Sequence, residues 1–297
     1  MALLSAAPFT TGVTLNEVVR DLEHLPTAPR VLPKLKMLLS DGNTSMESVV
    51  EMVRLDPGIA ARVLQFGNSA YFSHGLRCYT VDEAVYRIGY KQIYELVATA
   101  VAEQVFNRPL VTYGLDADTV WQNSIACALA AEELAGQLRL DRKIAYTVGL
   151  LHSIGMLAID GWASRRRPSL RFNETTSLLE ACEEERRELG FHQADAGASL
   201  LRLWAFPQVM SEPIRWQYLP TGTAAHLQLS ALLHVAKWIR TKSIRHSKEI
   251  SEPQPMILSR LGLTHAQVSR CCILVASRLR NISEHLEPDH ARVRLGS

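Results

Sequence analysis

The stretch RKIAYTVGLLHSIGMLAI, residues 142–159, decides the fold. After Lys143 it carries no formal charge, and its polar groups are Tyr146, Thr147, His152 and Ser153. It is too long and too continuous for a strand, and apolar on every side, so it reads as a central buried helix. Working outward, Asp118 to Gln137 is a long Ala-rich helix, and Asn173–Leu189, Gln193–Trp204, His226–Arg240 and Thr264–Ser283 continue the helical periodicity. Toward the N-terminus the boxes Thr14–Glu17, Thr44–Glu47 and Thr80–Glu83 each pair a capping hydroxyl with a carboxylate three residues on. Pro29 and Pro57 suit first helical turns, and Gly89 suits a left-handed stop. Nothing alternates with period two. The expected fold is all-α, with ten or more helices.

The 297 residues are 47% hydrophobic, enough to bury a large core. Lys+Arg 32 against Asp+Glu 30 gives a net charge of +2, too small for a field that would gather nucleic acid. Cys78, Cys127, Cys182, Cys271 and Cys272 are scattered without a CxxC pair, which fits free thiols. No run reaches the roughly 18 apolar residues of a membrane span, and the start MALLSAAPFTTG lacks a basic signal region. A cytoplasmic protein with no membrane and no nucleic-acid partner is expected. Neither a phosphate-binding Gly loop, a GxSxG elbow nor an HExxH pair is present, and no cofactor or metal is expected.

Three places could carry chemistry. His152-Ser153, inside the apolar run, needs hydrogen-bond partners; it reads as a satisfied core pair or as part of a ligand set requiring further convergent donors. Asn68-Ser69-Ala70-Tyr71-Phe72, downstream of Asp56-Pro57, is a structural turn or an exposed aromatic binding loop. Arg165-Arg166-Arg167, followed by Pro168, is a basic loop, either solvated or a contact for phosphate or acidic partners.

In order along the chain, these segments resemble the HDOD family (HD-related output domain). The resemblance rests on Leu25-Pro26-Thr27-Ala28-Pro29, Asp56-Pro57 with Ala61–Leu64, Asn68–Phe72, Thr80–Val85 with Ile88-Gly89, and Trp121 with Ser124. It continues through Gly149–Gly155 and through Gly190, Ala194, Gly197, Leu200, Leu201, Trp204 and Pro207. It implies a helical N-terminal sub-domain packed on an HD-like multi-helix core, within a bacterial signalling module. The implied division is 1–19 as an N-terminal lead, 20–240 as the HDOD domain (20–110 and 111–240), and 241–297 as a C-terminal helical extension, with a linker near Ser247–Pro255 and a fraying tail.

Catalytic HD phosphohydrolases hold metals through a histidine, a His-Asp pair and a distal aspartate. At the matching places this chain has Asn123, His152-Ser153, Gln193, Gln217-Tyr218 and Lys237. Amides and a hydroxyl are poor substitutes for anionic donors around a divalent ion, and an ammonium repels it. The expectation is therefore a vestigial cleft without catalysis, in a scaffold that binds protein partners in cyclic-di-nucleotide or two-component signalling. Its candidate surfaces are Asn68, Tyr71, Phe72 and Arg165–Arg167. The alternatives are a phosphohydrolase using His152, His192, Asp195 and His234, and a nucleotide sensor binding near Asn123, Lys237 and the arginines.

Overall fold

The computed structural model describes residues 13–20, 31–41, 43–102, 109–172, 178–220, 226–245 and 255–286. The expected linker (apart from Pro255), the tail, Leu25–Pro29 and residues 173–177 of the expected Asn173–Leu189 helix lie outside them. No strand occurs among the described residues; a single isolated bridge joins Leu110 and Leu115. The all-α expectation holds.

Helices α1 (Leu15–Arg20), α2 (Val31–Ser40), α3 (Met46–Arg54), α4 (Pro57–Gly67), α5 (Ala70–Ser73) and α6 (Val81–Ala102) form the first part. Two starts follow the sequence: Glu17 accepts from Thr14 N–H at 2.7 Å, and Asp56 accepts from Ile59 N–H at 2.9 Å ahead of Pro57. The expected Thr44–Glu47 box is corrected: Ser45, one residue later, caps α3 by accepting from Ser48 N–H (3.2 Å), while Glu47 accepts from Tyr86. Gly89 breaks α6 at φ 79°, a left-handed conformation that favours glycine. Helices α2, α3 and α4 pack against α6, burying Val49, Val53, Ile59, Val63, Leu64 and Val85. α1 instead docks Val18 and Val19 on the second part, against the later helices α9 and α11.

The second part comprises α7 (Ala117–Gln137), α8 (Arg142–Leu150), α9 (Ile154–Arg166), α10 (Leu178–Leu189), α11 (Gln193–Leu203), α12 (Gln208–Arg215), α13 (Leu227–Arg245), α14 (Pro255–Leu261) and α15 (His265–Leu286). α7 lies between α8, α13 and α15, and its alanines allow close approach. Polar ties join the two parts: Trp121 Nε1–H donates to Leu55 O (2.8 Å), Tyr146 O–H donates to Arg54 O (2.8 Å), and Glu132 receives both Arg54 (2.7 Å) and Arg278 (2.8 Å).

Two expectations need correction. The run 142–159 is not one helix: it turns at Leu151–Ser153 between α8 and α9. Two close approaches set that turn. A Cβ on Gly149 would lie 2.7 Å from Cys127 O, and a Cβ on Gly155 would overlap the Gln193 carbonyl. Residues 142–166 are long and apolar enough on average to cross a membrane, but 72% of the most apolar window is buried within the fold. The arginines are not a loop either, because Arg165 and Arg166 finish α9 and only Arg167 lies beyond, as its C-cap. α12, with Pro213 inside it, and α14 were not anticipated from periodicity.

Candidate functional site

The α8–α9 turn presents His152 to α13. The ring is 1% exposed. Its Nδ1 lies 2.8 Å from Gly149 O and its Nε2 lies 3.0 Å from Arg240 Nη1. A guanidinium only donates, so Nε2 must accept and Nδ1 must carry the proton toward the carbonyl. Burial, then the Arg240 and Lys237 charges, hold the imidazole well below its usual titration range. His152 is thus a neutral ring with its lone pair already taken.

Lys237, one helical turn before Arg240 on α13, is likewise 1% exposed. Its Nζ sits 3.4 Å from the Tyr218 ring centroid and makes no hydrogen bond among the described residues. Burial brings this ammonium down to about 7, helped by repulsion from Arg240. Tyr218 accepts at its hydroxyl from Gln193 Nε2 (2.6 Å). The Gln193 backbone N–H donates to Glu185 Oε2 (2.7 Å), and Tyr113 O–H donates to Glu185 Oε1 (2.9 Å). Burial lifts Glu185 to about 7 against those two bonds. Gln217 Nε2–H donates to both His152 O (2.9 Å) and Ile214 O (2.8 Å), while the Gln217 carbonyl accepts from His234 Nδ1 (3.0 Å).

The residues expected in a vestigial cleft therefore largely converge: His152, Gln193, Gln217, Tyr218 and Lys237 form one buried network, with Ser153 buried in the adjoining turn. Asn123 stands half-buried on α7, and no hydrogen bond among the described residues ties it to this network. Sequence reasoning missed Arg240 and Glu185. Helical phase could have found both, since Arg240 is three residues after Lys237 and Glu185 is three after buried Cys182.

The divalent ion implied by the HD resemblance does not fit these donors. No group of three His, Cys, Asp or Glu suited to a metal occurs among the described residues. His192, one of the alternative ligands, has Nε2 within 3.2 Å of Arg186 Nη2 and Nδ1 3.0 Å from Asp195 Oδ2. The His152 Nε2 lone pair is already taken by Arg240.

The other candidate residues lie elsewhere. Asn68 is buried: Cys78 N–H donates to its Oδ1 (2.8 Å) and its Nδ2–H donates to Cys78 O (3.2 Å). It is thus a turn clamp and exposes no binding group. Tyr71 is 79% exposed and packs edge-on to half-buried Phe72 at 4.8 Å. Arg165 and Arg166 are exposed; Arg167 is half-buried and donates to Glu188 O (3.1 Å) and Oε2 (3.3 Å).

Comparison with known proteins places this geometry. The family model for the HDOD domain matches residues 25–220. The chain belongs to the HDOD family. In fold, this HDOD chain is similar to the MmoQ response regulator of Methylococcus capsulatus str. Bath, with a TM-score of 0.68 and 21% identity over 84% of this chain and 98% of that one. It is also similar to a virulence factor of Campylobacter jejuni subsp. jejuni, with a TM-score of 0.64 and 18% identity over 90% of this chain and 100% of that one. An uncharacterized protein of Treponema pallidum (strain Nichols) is 22% identical over 210 residues, which span 66% of this chain and 38% of the relative.

Proposed function

We propose that this HDOD protein is a non-catalytic signalling module whose HD-type cleft is closed by its own cations and which acts by binding protein partners. One observation carries the reading: Arg240 Nη1 stands 3.0 Å from His152 Nε2, so the histidine lone pair faces a guanidinium. Lys237 adds a second cation to the same network, and positive charge there opposes entry of a divalent ion. Family membership supports the signalling role. Cyclic-di-nucleotide or two-component partners in the cytoplasm are the finer form of the proposal. The exposed Tyr71 and the Arg165–Arg166 end of α9 are its candidate contact surfaces.

The test is metal analysis of protein purified without chelator, followed by phosphodiesterase and nucleotidase assays. Sub-stoichiometric metal and no EDTA-sensitive turnover are expected. One tightly held Mn, Fe, Mg or Zn per chain with EDTA-sensitive hydrolysis would overturn the reading. Affinity capture with wild type and a Tyr71→Ala, Arg165→Ala, Arg166→Ala variant then tests the surface assignment, with loss of a reproducible signalling partner in the variant as the expected result. A thermal shift with a guanine or adenine nucleotide, abolished by Lys237→Met, would instead favour nucleotide sensing in the cleft.

A further inference from the structure

A second concavity lies apart from the cleft, where the α7–α8 turn, α12, the start of α13 and the end of α14 meet. Its volume is about 580 Å³, within the roughly 300–1,000 Å³ range of small-molecule sites. Leu140, Ile144, Val209, Leu229 and Leu261 give it aliphatic walls. It lies eight residues along α13 from Lys237, about 12 Å at 1.5 Å per residue. Two sites on one helix are therefore separable.

The rim is polar, and its charges are not equivalent. Asp141 is engaged by its own helix: it caps α8, accepting from Lys143 N–H (2.8 Å) and Ile144 N–H (2.9 Å). Arg260 has no hydrogen bond or ion pair among the described residues, and His226 stands beside the same opening. Among the described rim residues, Arg260 thus carries the formal charge that has no hydrogen-bond or ion-pair partner, while Asp141 Oδ1 is held by its own helix. Among the described residues, the walls present no Phe, Tyr or Trp on which a nucleobase could stack, and Gln228 is their one side-chain amide. Those features select against nucleotides and sugars, and for a flexible alkyl chain ending in a single anion.

We infer that this groove binds a free medium-chain fatty carboxylate, its alkyl chain along the leucine-rich walls and its head group on Arg260. The occupant is a small molecule because the space matches one alkyl ligand; a membrane surface would need a broader exposed apolar face.

The experiment is calorimetric titration of the full chain with sodium decanoate below its micelle threshold. Octanoate, decanol, acetate and phosphatidylglycerol vesicles serve as comparison ligands. Saturable one-to-one decanoate binding is expected, about tenfold tighter than octanoate from two methylenes, with acetate and vesicles not binding. Arg260→Ala should weaken decanoate about five- to tenfold and leave decanol unchanged. Val209→Trp, a half-buried position, should block the groove, with circular dichroism confirming the helical fold of both variants. Absence of saturable decanoate binding, equal affinity for decanol, an unaffected Arg260→Ala variant or binding to vesicles alone would each overturn the inference.

Discussion

Replacing Lys237 with methionine should make this protein more stable at neutral pH, although it removes the largest fully buried side chain among the described residues. An unfolded lysine titrates near 10.5, and in the fold burial brings Lys237 to about 7. The folded state therefore binds fewer protons than the unfolded state across that window, so the group's contribution is fully favourable above pH 10.5 and is lost as pH falls through 7. The difference of 3.5 units corresponds to about 5 kcal/mol below pH 6, at roughly 1.4 kcal/mol per unit. The neighbours that set this balance are Arg240 on the same helix, Cys127 on α7, His152 in the α8–α9 turn, Cys182 and Glu185 on α10, and Tyr218 after α12. Methionine fills a similar volume without an ammonium and forfeits the stacking on Tyr218, worth about 2 kcal/mol when desolvated. The net expectation is a variant more stable by about 3 kcal/mol at pH 6, with that advantage shrinking to about 1 kcal/mol by pH 10, where folded Lys237 is neutral, its cation–π contact is gone and the unfolded lysine approaches neutrality. Urea unfolding of both proteins from pH 6 to 10, followed by helical circular dichroism at constant ionic strength, reads this difference directly. A variant less stable than wild type at pH 6, by an amount independent of pH, would refute the reasoning.

Glu185 runs the other way: its folded value near 7 lies above the unfolded 4.5, so its contribution is complete below pH 4.5 and lost as pH rises through 7. Glu185→Gln should gain about 3 kcal/mol on wild type between pH 4.5 and 8 in the same unfolding series, and parallel curves would count against it. Gly155→Ala places a methyl onto the Gln193 carbonyl and should lower stability by about 3 kcal/mol or more, measured by thermal unfolding or, if severe, by the soluble fraction. Asn68→Ala strips Cys78 of both backbone partners and should lose about 2 kcal/mol, whereas Tyr71→Ala nearby should change stability by less than about 0.5 kcal/mol.

Capping and periodicity made most of the helices legible, because those signals are local. Thr14–Glu17, Asp56-Pro57 and Gly89 each do in the structure what their neighbours in sequence require, whereas the cap of α3 falls on Ser45, one residue past the expected Thr44. The break at Leu151–Ser153 was not legible, since it depends on how closely α7 and α11 approach Gly149 and Gly155. Asn68 went astray for a related reason. Its partners are the N–H and C=O of Cys78, ten residues away, and no local pattern says that a turn amide will face inward. α12 was hidden by Pro213, which lacks the N–H that a continuous helix would direct at Val209 O and so reads as a helix breaker. In the cleft, residue identities at the matching positions foretold which groups would meet. They did not foretell that Arg240 would complete the set, because Lys237 drew attention as a replaced ligand and the next turn of its helix did not.

The retained His152 makes sense only with that arginine. A buried imidazole needs a partner at each nitrogen, and the Gly149 carbonyl satisfies one of them. With serine at position 153 there is no neighbouring carboxylate to support a metal on the other, and a bare Nε2 in this core would be an unsatisfied acceptor. The Arg240 guanidinium fills the vacancy as a donor and, by its charge, keeps the ring neutral. The two features stabilise each other: a protonated His152 would repel Arg240, and an absent Arg240 would leave the histidine without its acceptor role. On the proposed reading, the hydroxyl and amide side chains at the matching positions and the internal cations on α13 act in the same electrostatic direction, against a divalent ion. A substitution that restored aspartate at 153 alone would still leave Arg240 on His152 Nε2, so the ring would have no lone pair to offer a metal.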